Sequence, residues 1–322
     1  MELRFWADTD TGRSRDHNED NYLVDRRLQL FVVCDGIGGH AAGDVASATA
    51  VRAIQESLAE SLNVMTRDRL ATGGEERQQK LMGHLADAVR LANKRVYRHA
   101  SSPEVQRQMG TTCSMLLVAG DDGFIAHVGD SRIYRIRDES AEQLTDDHSL
   151  RQEMIRRGQL EEGETFDQSD AITRAVGVED QLEVDTFRIG IEPGDRFVLC
   201  SDGLSEYVAE TSSVAKLASA PDLRQVVDTC IKHANEGGGK DNVTAIAVGA
   251  RDGTGMYDAL QLDARLHALA RTRPFHNLEG RELLTLFEAG RVQRLEPGET
   301  MFQPGDSTSR MFVVLEGELE RS

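Results

Sequence analysis

Short apolar runs, each closed by Gly, Asp or Asn, dominate the first 250 residues. Residues 3–9 and 20–35, Thr111–Ala119, Phe124–Val128, Ile133–Ile136, Val184–Ile189, Arg196–Cys200 and Val243–Val248 read as β-strands. Each is a short apolar segment bounded by turn formers. A different period governs Gly43–Leu62, an Ala-rich helix with Val45, Thr49, Ala53 and Leu58 on one side, and Leu81, Leu85, Val89, Ala92 and Val96, which recur at helical spacing. The polar stretch Arg67–Gln79, with Gly73-Gly74, reads as the loop of a helical hairpin that could cover one sheet face. Helices are also expected at Val214–Ala218 and Leu223–Ala234. Residues 145–170 are polar, hold one short helix near Leu150–Arg157, and read as an exposed flap.

The pattern changes after Arg251. The charged, Gly-containing segment Arg251–Gly255 reads as a linker. Helices are expected near Leu260–Ala270 and Gly280–Ala289. Two Pro-Gly turns, Pro297-Gly298 and Pro304-Gly305, and a strand at Met311–Leu315 suggest a small β-roll. The sequence ends at Ser322 with a strand barely begun, so the roll is expected to be incomplete.

Four aspartates, Asp35, Asp130, Asp202 and Asp241, sit at or beside the ends of apolar runs and next to tight-turn residues. Such positions carry them to one edge of a β core. Several anions in one dry place repel, and a hard divalent cation with oxygen ligands is the natural counter-charge. Aspartates without His or Cys partners favour Mg²⁺ or Mn²⁺ over zinc.

Composition narrows the function. A formal net charge of -18 over 322 residues disfavours nucleic-acid and anionic-membrane binding. The four cysteines show no zinc spacing and read as core residues. The start lacks an apolar signal core, and no apolar run is long enough to span a bilayer. A reduced, cytoplasmic protein is expected. There is no Cys-x5-Arg phosphate loop, so no protein nucleophile is indicated.

The chemistry-bearing stretches occur in a fixed order: Arg15-Asp16-His17-Asn18-Glu19-Asp20, Cys34-Asp35-Gly36-Ile37-Gly38-Gly39-His40, Gly129-Asp130-Ser131-Arg132, Ser201-Asp202-Gly203-Leu204 and Gly237-Gly238-Gly239-Lys240-Asp241-Asn242-Val243. With Thr145-Asp146-Asp147-His148-Ser149-Leu150, Ile172–Gly177 and Glu192–Arg196, they make residues 3–250 resemble the metal-dependent protein phosphatases (PPM, type 2C Ser/Thr phosphatases) in their bacterial form. The resemblance implies an α+β fold, a four-layer α/β/β/α sandwich of two antiparallel sheets flanked by helix pairs. It divides the chain into a phosphatase domain at 1–251, a linker at 252–261 and an appended segment at 262–322.

The resemblance also implies roles. Asp35 bridges two Mn²⁺ or Mg²⁺ ions, the Gly36 carbonyl completes one site, and Asp202 and Asp241 hold the other. Asp130 with Asp202 forms a weaker third site. Glu19 and Asp20 orient water, and Arg15 clamps the substrate phosphate as a planar fork. The implied activity is hydrolysis of phosphoserine and phosphothreonine proteins by direct attack of a metal-activated water at a dinuclear site, opposing a bacterial Ser/Thr kinase. A catalytically silent phosphoprotein-binding module, or a phosphatase gated by a C-terminal nucleotide sensor, are the alternatives. Many eukaryotic relatives carry His where this chain has Ile37, so no protein acid is assigned to the leaving group, and His40 lies three residues on. Asp170 stands where related chains often carry Asn. Arg151, Arg156 and Arg157 offer either a solvated helix face or a dock for acidic phosphopeptides.

Residues near 262–320 resemble the opening half of a cyclic-nucleotide-binding domain, on Leu269–Phe275, Leu278–Leu286, Pro297-Gly298-Glu299, Phe302, Gly305-Asp306 and Met311–Gly317. That family's phosphate cassette would lie past Ser322, so no cyclic nucleotide is expected to bind this chain. An unclosed roll exposes a strand edge, which invites homodimer pairing.

Overall fold

The computed structural model describes residues 1–38, 42–67, 74–102, 109–161, 164, 166, 171–208 and 210–251. Beyond these it describes 266, 268–276, 278, 282–283, 286–287, 290, 299–301 and 311–314, and the side chains of 62–67, 74 and 77 fall outside this set. The chain divides into two compact units, Met1–Asp258 and Ala259–Ser322.

The first unit runs β1 (Glu2–Asp10), β2 (Asn21–Asp25), β3 (Leu30–Cys34), β4 (Gly36–Ile37), α1 (Ala42–Arg67), α2 (Gly74–Ala100), β5 (Gly110–Thr111), β6 (Cys113–Ala119), β7 (Asp122–Val128), β8 (Arg132–Arg137), β9 (Ser140–Gln143), α3 (Leu150–Arg156), β10 (Asp185–Gly190), β11 (Arg196–Cys200), α4 (Asp202–Ser205), α5 (Thr211–Leu217), α6 (Leu223–Gly237) and β12 (Val243–Arg251). One sheet has the order β1-β12-β11-β8-β9 and the other β10-β7-β6-β3-β2; β4 and β5 form a small pair. Each pairing is antiparallel.

Period-2 alternation sorts the side chains into layers. Phe197 and Leu199 of β11 and Ile246 and Val248 of β12 meet Phe31, Val33, Leu116 and Ile125 of the other sheet in a buried core. The intervening Val198, Cys200, Ala245 and Ala247 face outward and pack with Val226, Val227 and Cys230 of α6. The helices α1 and α2 pair with each other and cover the second sheet. The expected four-layer α/β/β/α sandwich is therefore present. Burial of each large apolar side chain contributes roughly 1.5–3 kcal/mol. All four cysteines are free and buried.

Some local expectations need correction. The segment Arg67–Gln79 is not all loop: α1 runs to Arg67 and α2 begins at Gly74. Glu75 and Glu76 in the first turn of α2 favour that early start through the helix dipole. In α1 the buried face is Ala46, Ala50, Ala53, Ile54 and Leu58, whereas Val45 is 38% exposed. Small residues face inward because the start of α1 lies tight against the main chain near Glu19 and Gly36. The polar strand β9 escapes hydrophobic patterning because it is an edge, exposed at alternate residues. Asp138 and Glu139, both at positive φ, turn β8 into it.

The flap helix α3 starts at the cap Ser149, whose side chain accepts from the Gln152 N–H, and it has no buried residues. Arg151 donates to the Glu164 carbonyl, Arg156 pairs with Asp146 at 3.1 Å, and Arg157 pairs with Glu153. These arginines are engaged within the flap itself.

In the second unit, helical backbone is described at 266, 268–270, 282–283 and 286–287, with a 3-10 turn at Arg273–Phe275. Leu269, Leu283 and Phe287 are buried. The strand expected over Met311–Leu315 is not formed in its described part: residues 311–314 are irregular, and no described strand pairs with them. Both Pro-Gly turns, and His40 and Asp170, lie outside the described residues. Among the described residues no helix is long and apolar enough to cross a membrane.

Candidate metal centre

Strand register gathers the acids. The end of β3 lies opposite the start of β2, Cys34 against Asn21, which places Asp35 beside Asp20. The end of β7 meets the start of β6, Val128 against Cys113, which leads to Asp130. The end of β11 and the end of β1 both flank the start of β12, with Cys200 against Ala245 and Asp10 against Val243. Asp202, Asp241 and the Arg15–Asp20 loop therefore share one edge of the sandwich.

Asp20 is the most enclosed. Its Oδ2 accepts from Ser201 Oγ and Thr244 Oγ1, each at 2.7 Å, while its Oδ1 is buried without a partner. Thr244 in turn bonds Thr9 at 2.7 Å, and Thr9 accepts from Asn18. Burial pushes the Asp20 carboxyl up to about 7; the two hydroxyls oppose this, and Asp202 and Asp241 add to it. Asp35 is also raised, first by burial and then by Asp20 and Asp202. Burial and the Asp202 charge push Asp130 up to about 7, and burial pushes Asp202 to about 6.

Asp241 is held differently. Its Oδ2 accepts from Arg15 Nη2 at 2.6 Å and its Oδ1 from the Asn242 N–H at 2.8 Å. Burial lowers the Arg15 guanidinium, but Asp241 outweighs this and the net shift is upward. Glu19 is buried: its N–H donates to Asn242 Oδ1 at 2.8 Å and its carbonyl accepts from Ser47 Oγ at 2.6 Å. Gly36 sits where backbone segments converge, and a Cβ there would lie 2.3 Å from the Gly43 carbonyl and 2.4 Å from that of Glu19.

The donor chemistry fits hard divalent cations. Asp20 Oδ1, Asp130 Oδ1 and Asp202 Oδ1 are buried oxygens with no hydrogen-bond partner. Each belongs to a carboxyl whose charged form is disfavoured by burial and like-charged neighbours. A cation would remove both penalties. Among the described residues no three His, Cys, Asp or Glu side chains form a ready-made cage.

Neighbouring polar residues hold the backbone and carboxylates of this acid cluster. Asn242, 4% exposed, accepts from Glu19 and donates through Nδ2 to the Thr11 and His17 carbonyls, at 2.9 Å each. Ser201, Thr244 and Ser47 act similarly. Their signal was weak: polar residues beside acids or at the mouths of apolar runs.

Below the flap lies a buried imidazole pair, His127 and His148, with ring centroids 4.8 Å apart. Burial, then the His148 charge, drives His127 down to about 3. The folded state keeps His127 neutral, while the unfolded chain takes up a proton near the ordinary value of 6.5. Its stabilising contribution is complete above pH 6.5 and is lost as pH falls toward 3. Urea unfolding of the wild type and His127→Gln at pH 7 and pH 4.5 is expected to show the wild type losing ground relative to the variant at the lower pH. An unchanged difference would show that His127 is protonated in the fold.

Comparison with known proteins agrees with the fold. A family model described as Protein phosphatase 2C matches residues 11–246. The chain is 37% identical over 245 residues to the serine/threonine phosphatase stp of Listeria welshimeri, covering 74% of this chain and 93% of that one. It is similar to the crystal structure of the Mycobacterium tuberculosis serine/threonine phosphatase PstP/Ppp, with a TM-score of 0.68 and 30% identity over 78% of this chain and all (100%) of that chain. It is also similar to the PstP catalytic domain solved in complex with two manganese ions, with a TM-score of 0.64 and 31% identity over 78% of this chain and 99% of that chain. Fold and matches define a metal-dependent serine/threonine protein phosphatase. The chain belongs to the protein phosphatase 2C family.

Proposed function

We propose that this phosphatase removes phosphate from phosphoserine and phosphothreonine proteins at a dinuclear Mn²⁺ or Mg²⁺ centre. The observation that carries the reading is the set of three buried, unpartnered carboxylate oxygens on Asp20, Asp130 and Asp202. Asp35, the Gly36 carbonyl, Asp202 and Asp241 would hold the two ions, and Asp130 with Asp202 would hold a weaker third. When bound, such ions supply Lewis-acid charge and lower the pKa of water. The chain's own residues do the rest. Ser201 and Thr244 fix the Asp20 carboxylate so that Oδ1 faces the centre, and Asn242 fixes the Glu19 main chain. With acids in these places, Asp20 and Glu19 orient water toward the phosphorus.

Arg15 is the phosphate clamp. Its side chain is 46% exposed, and its strong partner among the described residues is Asp241. In taking a phosphate it exchanges that carboxylate for phosphate oxygens and frees Asp241 Oδ2 for a cation. Arg15→Ala is expected to raise KM for a phosphothreonine peptide roughly 10–100-fold, in line with about 1.5–3 kcal/mol for a hydrogen bond to a charged group. Arg15→Lys is expected to recover little of this, because an ammonium cannot present a bidentate fork. A wild-type KM in Arg15→Ala sinks this role. The reading as a whole is tested by hydrolysis of the same peptide with Mn²⁺, then with a chelator, then with Mn²⁺ restored; activity that ignores the chelator contradicts it.

Residues 1–251 are assigned as the phosphatase domain, with 252–261 a linker and 262–322 an appended segment. Phosphoproteins made by a Ser/Thr kinase in the cytoplasm are the proposed substrates. Support comes from relatives named as serine/threonine phosphatases.

A further inference from the structure

Asp35 and Asp130 follow different strands, β3 and β7, and one buried hydroxyl links their segments. Thr112 is fully buried in the gap between β5 and β6. Its N–H donates to the Asp35 carbonyl at 2.8 Å, and its Oγ1 accepts from the Asp35 N–H at 2.9 Å. One residue thus grips both polar groups of the Asp35 main chain. Thr111 Oγ1 adds a second bond to the Asp35 carbonyl at 2.8 Å.

The same Thr112 Oγ1 lies 2.6 Å from Ser131 Oγ, the residue after Asp130. Its methyl group occupies the space beneath Gly129, the residue before Asp130: a Cβ on Gly129 would lie 2.6 Å from Thr112 Cγ2, and Gly129 has φ +107. From the other side His148 holds Gly129 twice. The Gly129 N–H donates to His148 Nδ1 at 3.0 Å, and the His148 N–H donates to the Gly129 carbonyl at 2.7 Å. His148 is anchored in turn by Asp185 at 3.1 Å, and Asp185 is anchored by Arg174 at 2.7 Å. The turn carrying Asp130 is therefore fixed between Thr112 and the base of the flap.

We infer that Thr112 is a positioning residue that locks Asp35 and the Gly129–Asp130–Ser131 turn into one frame, so that carboxylates from two strands present fixed oxygens to the same metal centre. The inference rests on the metal-dependent reading above. A buried Thr–Ser pair often does no more than satisfy itself. Here its bonds reach the main chain of one acid, Asp35, and Ser131 beside the other, Asp130, which carries a buried unpartnered oxygen. Groups that orient metal-bearing side chains typically change metal affinity or activity by roughly 10–100-fold when removed.

The test compares wild type, Thr112→Val, which keeps shape and loses the hydroxyl, and Thr112→Ser, which keeps the hydroxyl. The primary readout is the Mn²⁺ concentration giving half of the Mn²⁺-induced rise in melting temperature, measured without substrate; kcat and KM at saturating Mn²⁺ are the second. Thr112→Val is expected to need roughly 10–100-fold more Mn²⁺, with KM little changed, and Thr112→Ser to return within a few-fold of wild type. Ser131→Ala, a smaller perturbation that survives even if Thr112→Val does not fold, is expected to shift the Mn²⁺ requirement in the same direction. A responsive wild type matched by equally responsive Thr112→Val or Ser131→Ala proteins overturns the inference alone, as does a Thr112→Ser protein as impaired as Thr112→Val. A wild type with no Mn²⁺ response overturns the metal reading and the frame with it.

Discussion

Asp202→Asn is expected to make the metal-free protein more stable and the enzyme inert. Asp202 opens α4, two residues past the end of β11, in a place where burial, opposed by a hydrogen bond with Asp35 and reinforced by the charges of Asp241 and Glu206, pushes its carboxyl up to about 6. A group whose folded pKa lies above its unfolded value near 3.8 stabilises the fold only while protonated. That contribution is complete below the unfolded value and is lost as pH rises through about 6. At pH 8 the wild type without metal therefore carries an uncompensated anion, and neutralising it should recover about 1–3 kcal/mol. In a chelating buffer the variant should melt several degrees higher than wild type at pH 8, and the gap should close near pH 4. Adding Mn²⁺ should reverse the ranking, since a ligand that binds only the folded state stabilises it by mass action. Turnover should fall by about a thousandfold or more, in the range seen when a key electrostatic group is removed from an active site. A variant less stable than wild type at both pH values would show that Asp202 is a structural carboxylate.

Gly36→Ala is the second change with a large expected effect, and it acts by space alone. The added Cβ would meet the main-chain oxygens of Gly43 at 2.3 Å and Glu19 at 2.4 Å. Neither is the tip of a flexible side chain. One belongs to the first turn of α1 and the other to the loop held by Asn242 and Ser47. Relief requires moving α1 or the acidic loop, so a loss of about 3 kcal/mol or more is expected, with activity falling further as Glu19 and Asp20 shift. Gly83→Ala is the control. It lies inside α2 with open space around the new methyl group, and should stabilise by up to about 1 kcal/mol. Equal stability of Gly36→Ala and wild type in urea titrations would mean that the close approach of these segments is not maintained in solution.

The sandwich was legible because each core strand is a short apolar run, and the acids were legible because each sits just after or, for Asp241, just before such a run. Local pattern carries that information. The aiming residues were not, because Thr112, Ser201, Asn242 and Thr244 acquire their roles only when strands far apart in sequence pair: Asn242 reaches Glu19 across 223 positions. A polar residue at a strand mouth looks the same whether it faces water or a carboxylate. The side of α1 read from Val45, Thr49, Ala53 and Leu58 only partly matches its inward face, on which Ala53 and Leu58 lie and Val45 does not, since hydrophobicity does not reveal that a tight approach selects alanine over valine. Polarity also hid the helical ends on either side of residues 68–73, where charge in a first turn favours helix rather than loop.

The central claim is that the carboxylate-lined edge is a divalent-metal centre that hydrolyses phosphomonoesters. Phosphate release from a phosphothreonine peptide by the wild-type protein, as Mn²⁺ is raised from a chelated zero, tests it most directly. The account requires no release at zero metal, a saturable rise with Mn²⁺, and loss of that rise in folded Asp202→Asn. Release that is independent of Mn²⁺, or a folded wild type that binds Mn²⁺ and releases no phosphate, would contradict it.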